Sequence, residues 1–162
     1  MKIVYKLARD RRDGCEIRKA IIALGIPKRA SKICSKKKSR KCRTSKAYTL
    51  AICPLVSMPE RRMIRAIKID TRYTLEQAHS RYSRWYVYKV GKCQVPEFEF
   101  EKRRDIECAS GIHYFECAKS AAAYMSRPKI KIVDNTDKFK HLAKTNLRQL
   151  VDRARDEFEQ LE

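Results

Sequence analysis

Ala47-Tyr48-Thr49-Leu50-Ala51-Ile52-Cys53 carries no charge, mixes β-formers with small apolar residues, and is followed at once by Pro54. It reads as a β-strand that ends at the proline. Working outward, Lys2-Ile3-Val4-Tyr5-Lys6-Leu7 alternates and then meets a charged turn at Asp13-Gly14. Cys15 to Ile26 follows, rich in Ile and Ala, and stops at Gly25-Ile26-Pro27. On the other side, Met63 to Ile69 shows a period of two over its second half. Arg84-Trp85-Tyr86-Val87-Tyr88-Lys89-Val90 is the most strand-like stretch of all. Gly91 then turns the chain into Lys92–Val95, and Ile112-His113-Tyr114-Phe115 makes a last short strand of this group.

Helical signals come late. Glu116 to Met125 is alanine-rich and closes near Pro128, and Lys129–Val133 reads as a short strand. Asp134-Asn135-Thr136 supplies N-cap chemistry for a final helix. Phe139, Leu142, Ala143, Leu147, Leu150, Val151, Ala154, Phe158 and Leu161 fall at steps of three and four, one stripe of an amphipathic helix. Its last turn is acidic (Asp156, Glu157, Glu159, Glu162), the unfavourable sign for a helix C-terminus. The expectation is an α+β chain: a strand-rich, basic mixed domain over residues 1–126, then a short strand and helical extension over residues 127–162.

Charge is distributed very unevenly. Residues 17–59 contain no carboxylate, and residues 1–90 hold 25 Lys and Arg against 6 Asp and Glu, nearly the whole formal charge of +20. Ten of the twenty side chains from Pro27 to Lys46 are cationic: Lys28, Arg29, Lys32, Lys36, Lys37, Lys38, Arg40, Lys41, Arg43 and Lys46. Such a concentration repels itself and calls for a polyanionic surface, whether nucleic acid, anionic lipid or an acidic protein face. Arg81-Tyr82-Ser83-Arg84-Trp85-Tyr86 interleaves cations with rings able to stack on bases. In a strand, at least half of its aromatics would instead face the core.

No apolar run approaches the roughly 20 residues of a membrane-spanning helix, and Met1–Lys6 turns charged before a signal-peptide core could form. Synthesis in the cytoplasm is therefore expected. Seven cysteines without a secretory signal point to reduced, mostly buried thiols rather than a disulfide framework. Cys108, His113 and Cys117 lie within ten residues, and Cys34 with Cys42 could add ligands, but no C-x2-C pair makes the zinc reading specific. No metal or other cofactor is expected. Cys108 and His113 also suggest a nucleophile and its base, yet no orienting third group accompanies them, and a turn-and-core role is expected instead.

Three segments carry a family likeness. They are Arg40-Lys41-Cys42-Arg43-Thr44-Ser45-Lys46-Ala47, Val87-Tyr88-Lys89-Val90-Gly91-Lys92, and Glu107-Cys108-Ala109-Ser110-Gly111-Ile112-His113-Tyr114-Phe115 leading to Ala118 and Tyr124. Their order and spacing resemble an uncharacterised domain of large DNA viruses, some phages and some pentapeptide-repeat proteins, over about residues 1–125. The likeness implies a viral setting rather than a mechanism.

Together these readings lead to a non-enzymatic virion structural protein of a large DNA virus, a minor capsid or virion-internal component. Its cationic stretch would meet a polyanion. Phe139, Leu142, Leu150, Phe158 and Leu161 would dock on other virion proteins such as capsid subunits. The alternative is a basic protein that contacts the viral genome without strong sequence selectivity. A membrane surface is the less favoured partner, and no small-molecule substrate is expected.

Overall fold

The computed structural model describes residues 1–11, 18–35, 41–59, 65–106, 108–124, 131–133 and 136–159. It confirms a strand-rich α+β architecture with a C-terminal helix. The strands are β1 (Lys2–Asp10), β2 (Arg18–Ile26), β3 (Lys32–Cys34), β4 (Cys42–Thr44), β5 (Ala47–Pro59), β6 (Arg65–Ile69), β7 (Gln77–His79), β8 (Val87–Lys89), β9 (Cys93–Gln94), β10 (Ile112–Tyr114) and β11 (Lys131–Val133). The helices are α1 (Ala118–Ala123) and α2 (Thr136–Glu159).

The main sheet runs in the order β11-β6-β5-β2-β1-β7-β8, with β9 added to β5, and a smaller sheet runs β10-β4-β3. The three long strands explain themselves. β1 and β2 pair antiparallel over their whole length, from Lys2↔Ile26 to Asp10↔Arg18, and β2 pairs with β5. This sheet is covered on both faces, so its strands read as nearly continuous apolar runs rather than alternating ones. Tyr5, Leu7, Ile21 and Ala23 face a core completed by Phe115, α1 and Phe139 and Ala143 of α2. Their neighbours Val4, Ala8, Ala20, Ile22 and Leu24 face a second core completed by Cys42, Ala78, Tyr88, Ile112 and Tyr114. A register shift between Ala23 and Leu24 leaves Leu50 as an extra residue on β5. Its carbonyl accepts a hydrogen bond from Asn146 Nδ2 of α2 at 2.8 Å.

Several expectations need correction. β5 does not end at Pro54 but continues to Pro59. Pro54 stands where the strand passes from its partner Ala20 on β2 to Leu55↔Ile69 on β6, and its carbonyl accepts from the Asp70 amide at 2.9 Å. A change of partner is a position where a missing N–H is tolerated. β8 is only three residues long, because Arg84 and Trp85 form a turn and leave the indole 77 % exposed. The helix expected from Glu116 starts at Ala118, with Cys117 as N-cap accepting from the Ser120 amide at 3.4 Å. Cysteine chemistry also differs from expectation. Cys34 and Cys42 form a disulfide, since β3 and β4 place them directly opposite each other with Cα atoms 4.0 Å apart. Of the described free thiols, Cys53 is buried, whereas Cys93, Cys108 and Cys117 are exposed.

α2 packs on its own domain through Phe139, Ala143 and, partly buried, Leu142, Leu147 and Leu150. Phe139, Leu142 and Leu150 thus contribute to the core rather than to a free docking stripe. The Phe158 side chain and Leu161 lie outside the described residues. Among the described residues no helix is long and apolar enough to cross a membrane.

Candidate functional site

A cleft of about 450 Å³ opens where the small sheet, the 80–86 turn and the 96–98 segment meet the second face of the main sheet. Lys6 forms part of its lining. On β1 it has the same parity as Val4 and Ala8, so its side chain enters the second core and is only 7 % exposed. The ammonium donates to the His113 carbonyl at 3.1 Å and lies 5.7 Å from the centre of the Tyr88 ring. Burial, with a smaller contribution from the like charge of Lys41, pushes its pKa down to about 8. Lys41 lines the same cleft: it donates to the Tyr124 hydroxyl at 3.2 Å, and that oxygen is 2.9 Å from the Tyr82 hydroxyl. Tyr86 packs edge-on against Tyr88, and burial, then Glu97 and Cys93, push its pKa up to about 12. The Tyr86 phenol therefore remains neutral near pH 7.

Arg43 builds the frame. It is 4 % exposed, and its guanidinium donates to the carbonyls of Ile106 at 2.7 Å, Glu101 at 3.0 Å and Arg103. Those bonds hold the 101–106 segment against the small sheet. Gly111, at φ +156°, lies so close that a Cβ there would come within 3.0 Å of the Arg43 Cβ and Cδ atoms. Two of the sequence segments that carry the family likeness are thus interlocked, with Arg43↔His113 as register partners. Ser110 Oγ donates to the Phe98 carbonyl at 2.8 Å, and Tyr86 donates to the Val95 carbonyl, which fixes the outer wall.

The cationic residues expected to meet a polyanion separate into three groups. Lys28, Arg29, Lys32 and Lys46 are exposed, and Lys41 is half-buried at the cleft. Arg43 must be withdrawn from that set, because its charge is buried among backbone carbonyls and is not available to a partner. Lys36, Lys37, Lys38 and Arg40 lie outside the described residues. Cys108 and His113 both line the cleft beside Ser80, Tyr82 and Phe98, and Cys108 is exposed there rather than placed in the core as expected. Lys6 was missed. Its signal was a lysine at the inward parity of an apolar strand, between Val4 and Ala8.

Exposed rings stand beside cations at the cleft and elsewhere on the surface. The Arg84 guanidinium lies 4.6 Å from the Trp85 ring centre, Lys41 5.9 Å from Tyr82, and Arg72 5.6 Å from Tyr73. Phe98, at the cleft, is also exposed.

Replacing Lys6 by Met should stabilise the protein. With the folded pKa near 8 and an unfolded value near 10.5, the unfolded chain binds more protons across that window. The Lys6 penalty is therefore fully present below pH 8 and is relieved as pH rises towards 10.5. It amounts to about 3 kcal/mol at pH 7 and under about 1 kcal/mol at pH 10. Urea unfolding of Lys6→Met and the parent at both pH values should show that shrinking gain. Cys53, pushed up to about 12 by burial and Asp70, destabilises at high pH in both proteins and cancels in the difference. A variant less stable than the parent at pH 7 would contradict this.

The chain belongs to the DUF5758 family, a family of unknown function, whose model matches residues 1–121. No curated protein and no solved structure matches it.

Proposed function

We propose that the chain is a non-enzymatic nucleic-acid-binding protein of a large DNA virus, working on the viral genome within or during assembly of the virion. The observation that carries the reading is the pairing of cations with exposed rings: Arg84 with Trp85 on the surface, and the half-buried Lys41 with Tyr82 at the cleft. Lys28, Arg29, Lys32 and Lys46 add phosphate-binding charge without a carboxylate anywhere in residues 17–59. Rings beside cations favour unpaired bases, whose faces are open, over a duplex. The viral setting rests on the likeness of the Arg40–Ala47, Val87–Lys92 and Glu107–Phe115 segments to viral domains.

Fluorescence anisotropy with a labelled single-stranded oligonucleotide at graded salt tests the proposal. Affinity should fall steeply with salt. Exchanging Lys28, Arg29, Lys32 and Lys46 together for Gln should flatten the log–log slope by about 2 to 3, since each phosphate contact on a single strand contributes roughly 0.7. No binding at low salt would sink the reading.

A second reading, a virion structural protein docking on capsid subunits, retains one supporting observation. α2 continues beyond its last core contact at Leu150, and Val151 is 50 % exposed there. Deleting residues 152–162 should leave the fold intact and abolish incorporation into virions if that reading is right. Normal incorporation would dismiss it.

A further inference from the structure

The two buried cations among the described residues are treated very differently. The Arg43 guanidinium meets three backbone carbonyls. The Lys6 ammonium has three donors, and among the described residues its one hydrogen-bond acceptor is the His113 carbonyl. No carboxylate among the described residues forms an ion pair with it, and its nearest charged influence is another lysine. A buried ammonium so poorly compensated costs stability and persists where an anion will complete it. The cavity beside it has the volume of a small-ligand site. Tyr82 and Phe98, both exposed, stand at its edge.

We infer that this cleft is a pocket for one nucleoside phosphate, the phosphate on Lys6 and Lys41 and the base against Tyr82 and Phe98. The choice of ligand rests on the nucleic-acid reading above, and the pocket would then take a single terminal or unpaired nucleotide of the bound strand. Tyrosine hydroxyls and Ser80, Ser83 and Ser110 offer neutral partners for sugar and base edges. The phosphate also restores the Lys6 charge that burial disfavours. Binding therefore weakens as pH rises above about 8.

Cys108 provides the readout, because it lines the cleft and is exposed, whereas Cys93 and Cys117 are exposed but do not line it. Adenosine monophosphate at saturating concentration should slow iodoacetamide alkylation of Cys108 by about fivefold or more while Cys93 and Cys117 react unchanged. Lys6→Met should weaken the nucleotide by about tenfold or more, the value of a charge-assisted hydrogen bond. Tyr82→Ala, an exposed position, should weaken it less and leave unfolding unchanged. Inorganic phosphate should protect only weakly; if it protects as well as the nucleotide, the base contributes nothing and the assignment fails. The assignment also fails if the nucleotide gives no protection, or if Lys6→Met protects like the parent. Oligonucleotide binding measured on the same samples keeps the two proposals apart. Strand binding without nucleotide protection refutes the pocket alone.

Discussion

Arg43→Ala should destabilise the protein by about 3 to 5 kcal/mol, because several charge-assisted bonds to the 101–106 carbonyls vanish and a cavity opens against Gly111. Lys cannot substitute. Its ammonium lacks the planar fork that reaches three carbonyls at once, so Arg43→Lys should recover less than half the loss. The freed segment contains Lys102, Arg103 and Arg104, so trypsin should cut there much faster in the variant. Urea unfolding and timed proteolysis together check the outcome. A loss below about 1 kcal/mol would mean that the 101–106 segment holds itself in place.

Phe139→Ala should cost a similar amount, about 3 to 5 kcal/mol. Phe139 is fully buried, its ring centre 5.9 Å from that of Tyr5, and among the described residues it is the one large side chain that α2 buries completely. Leu142, Leu147 and Leu150 are only partly covered, so they cannot hold the helix if the ring is removed. Asn146 is expected to lose its bond to the Leu50 carbonyl as α2 loosens. Deleting residues 137–162 should be worse, giving a protein of poor solubility with the α2-facing side of β5 uncovered. Thermal melting that leaves either variant like the parent would show that the helix is not part of the core.

The elements that could be read from the sequence were those whose pattern is local. β1, β2 and β5 announced themselves by β-branched and apolar density, and α2 by its three-and-four spacing. What escaped depended on partners far along the chain. Arg43 looks like any other cation of the Pro27–Lys46 stretch until the carbonyls of residues 101–106 surround it. Trp85 looks like core in its aromatic run, yet a turn puts it outside. Pro54 signals a strand end, but a change of neighbouring strand absorbs it. Cys34 and Cys42, eight residues apart, became a disulfide only because β3 and β4 bring them opposite each other. At the cleft, the Cys108–His113 wall was legible as a segment, and the Tyr82–Tyr86 wall was legible as a cation–aromatic mixture. Lys6 was not, because only the burial of both sheet faces turns an alternating strand position into an interior one.

Ultraviolet cross-linking of a single-stranded oligonucleotide to the whole protein, with the modified peptides located by mass spectrometry, tests the central claim most directly. The rings placed beside the cations and at the cleft should carry the adducts: Tyr82, Trp85 and Phe98, with adduct yield falling as salt is raised. Adducts confined to α2, or a yield indifferent to salt, would contradict it.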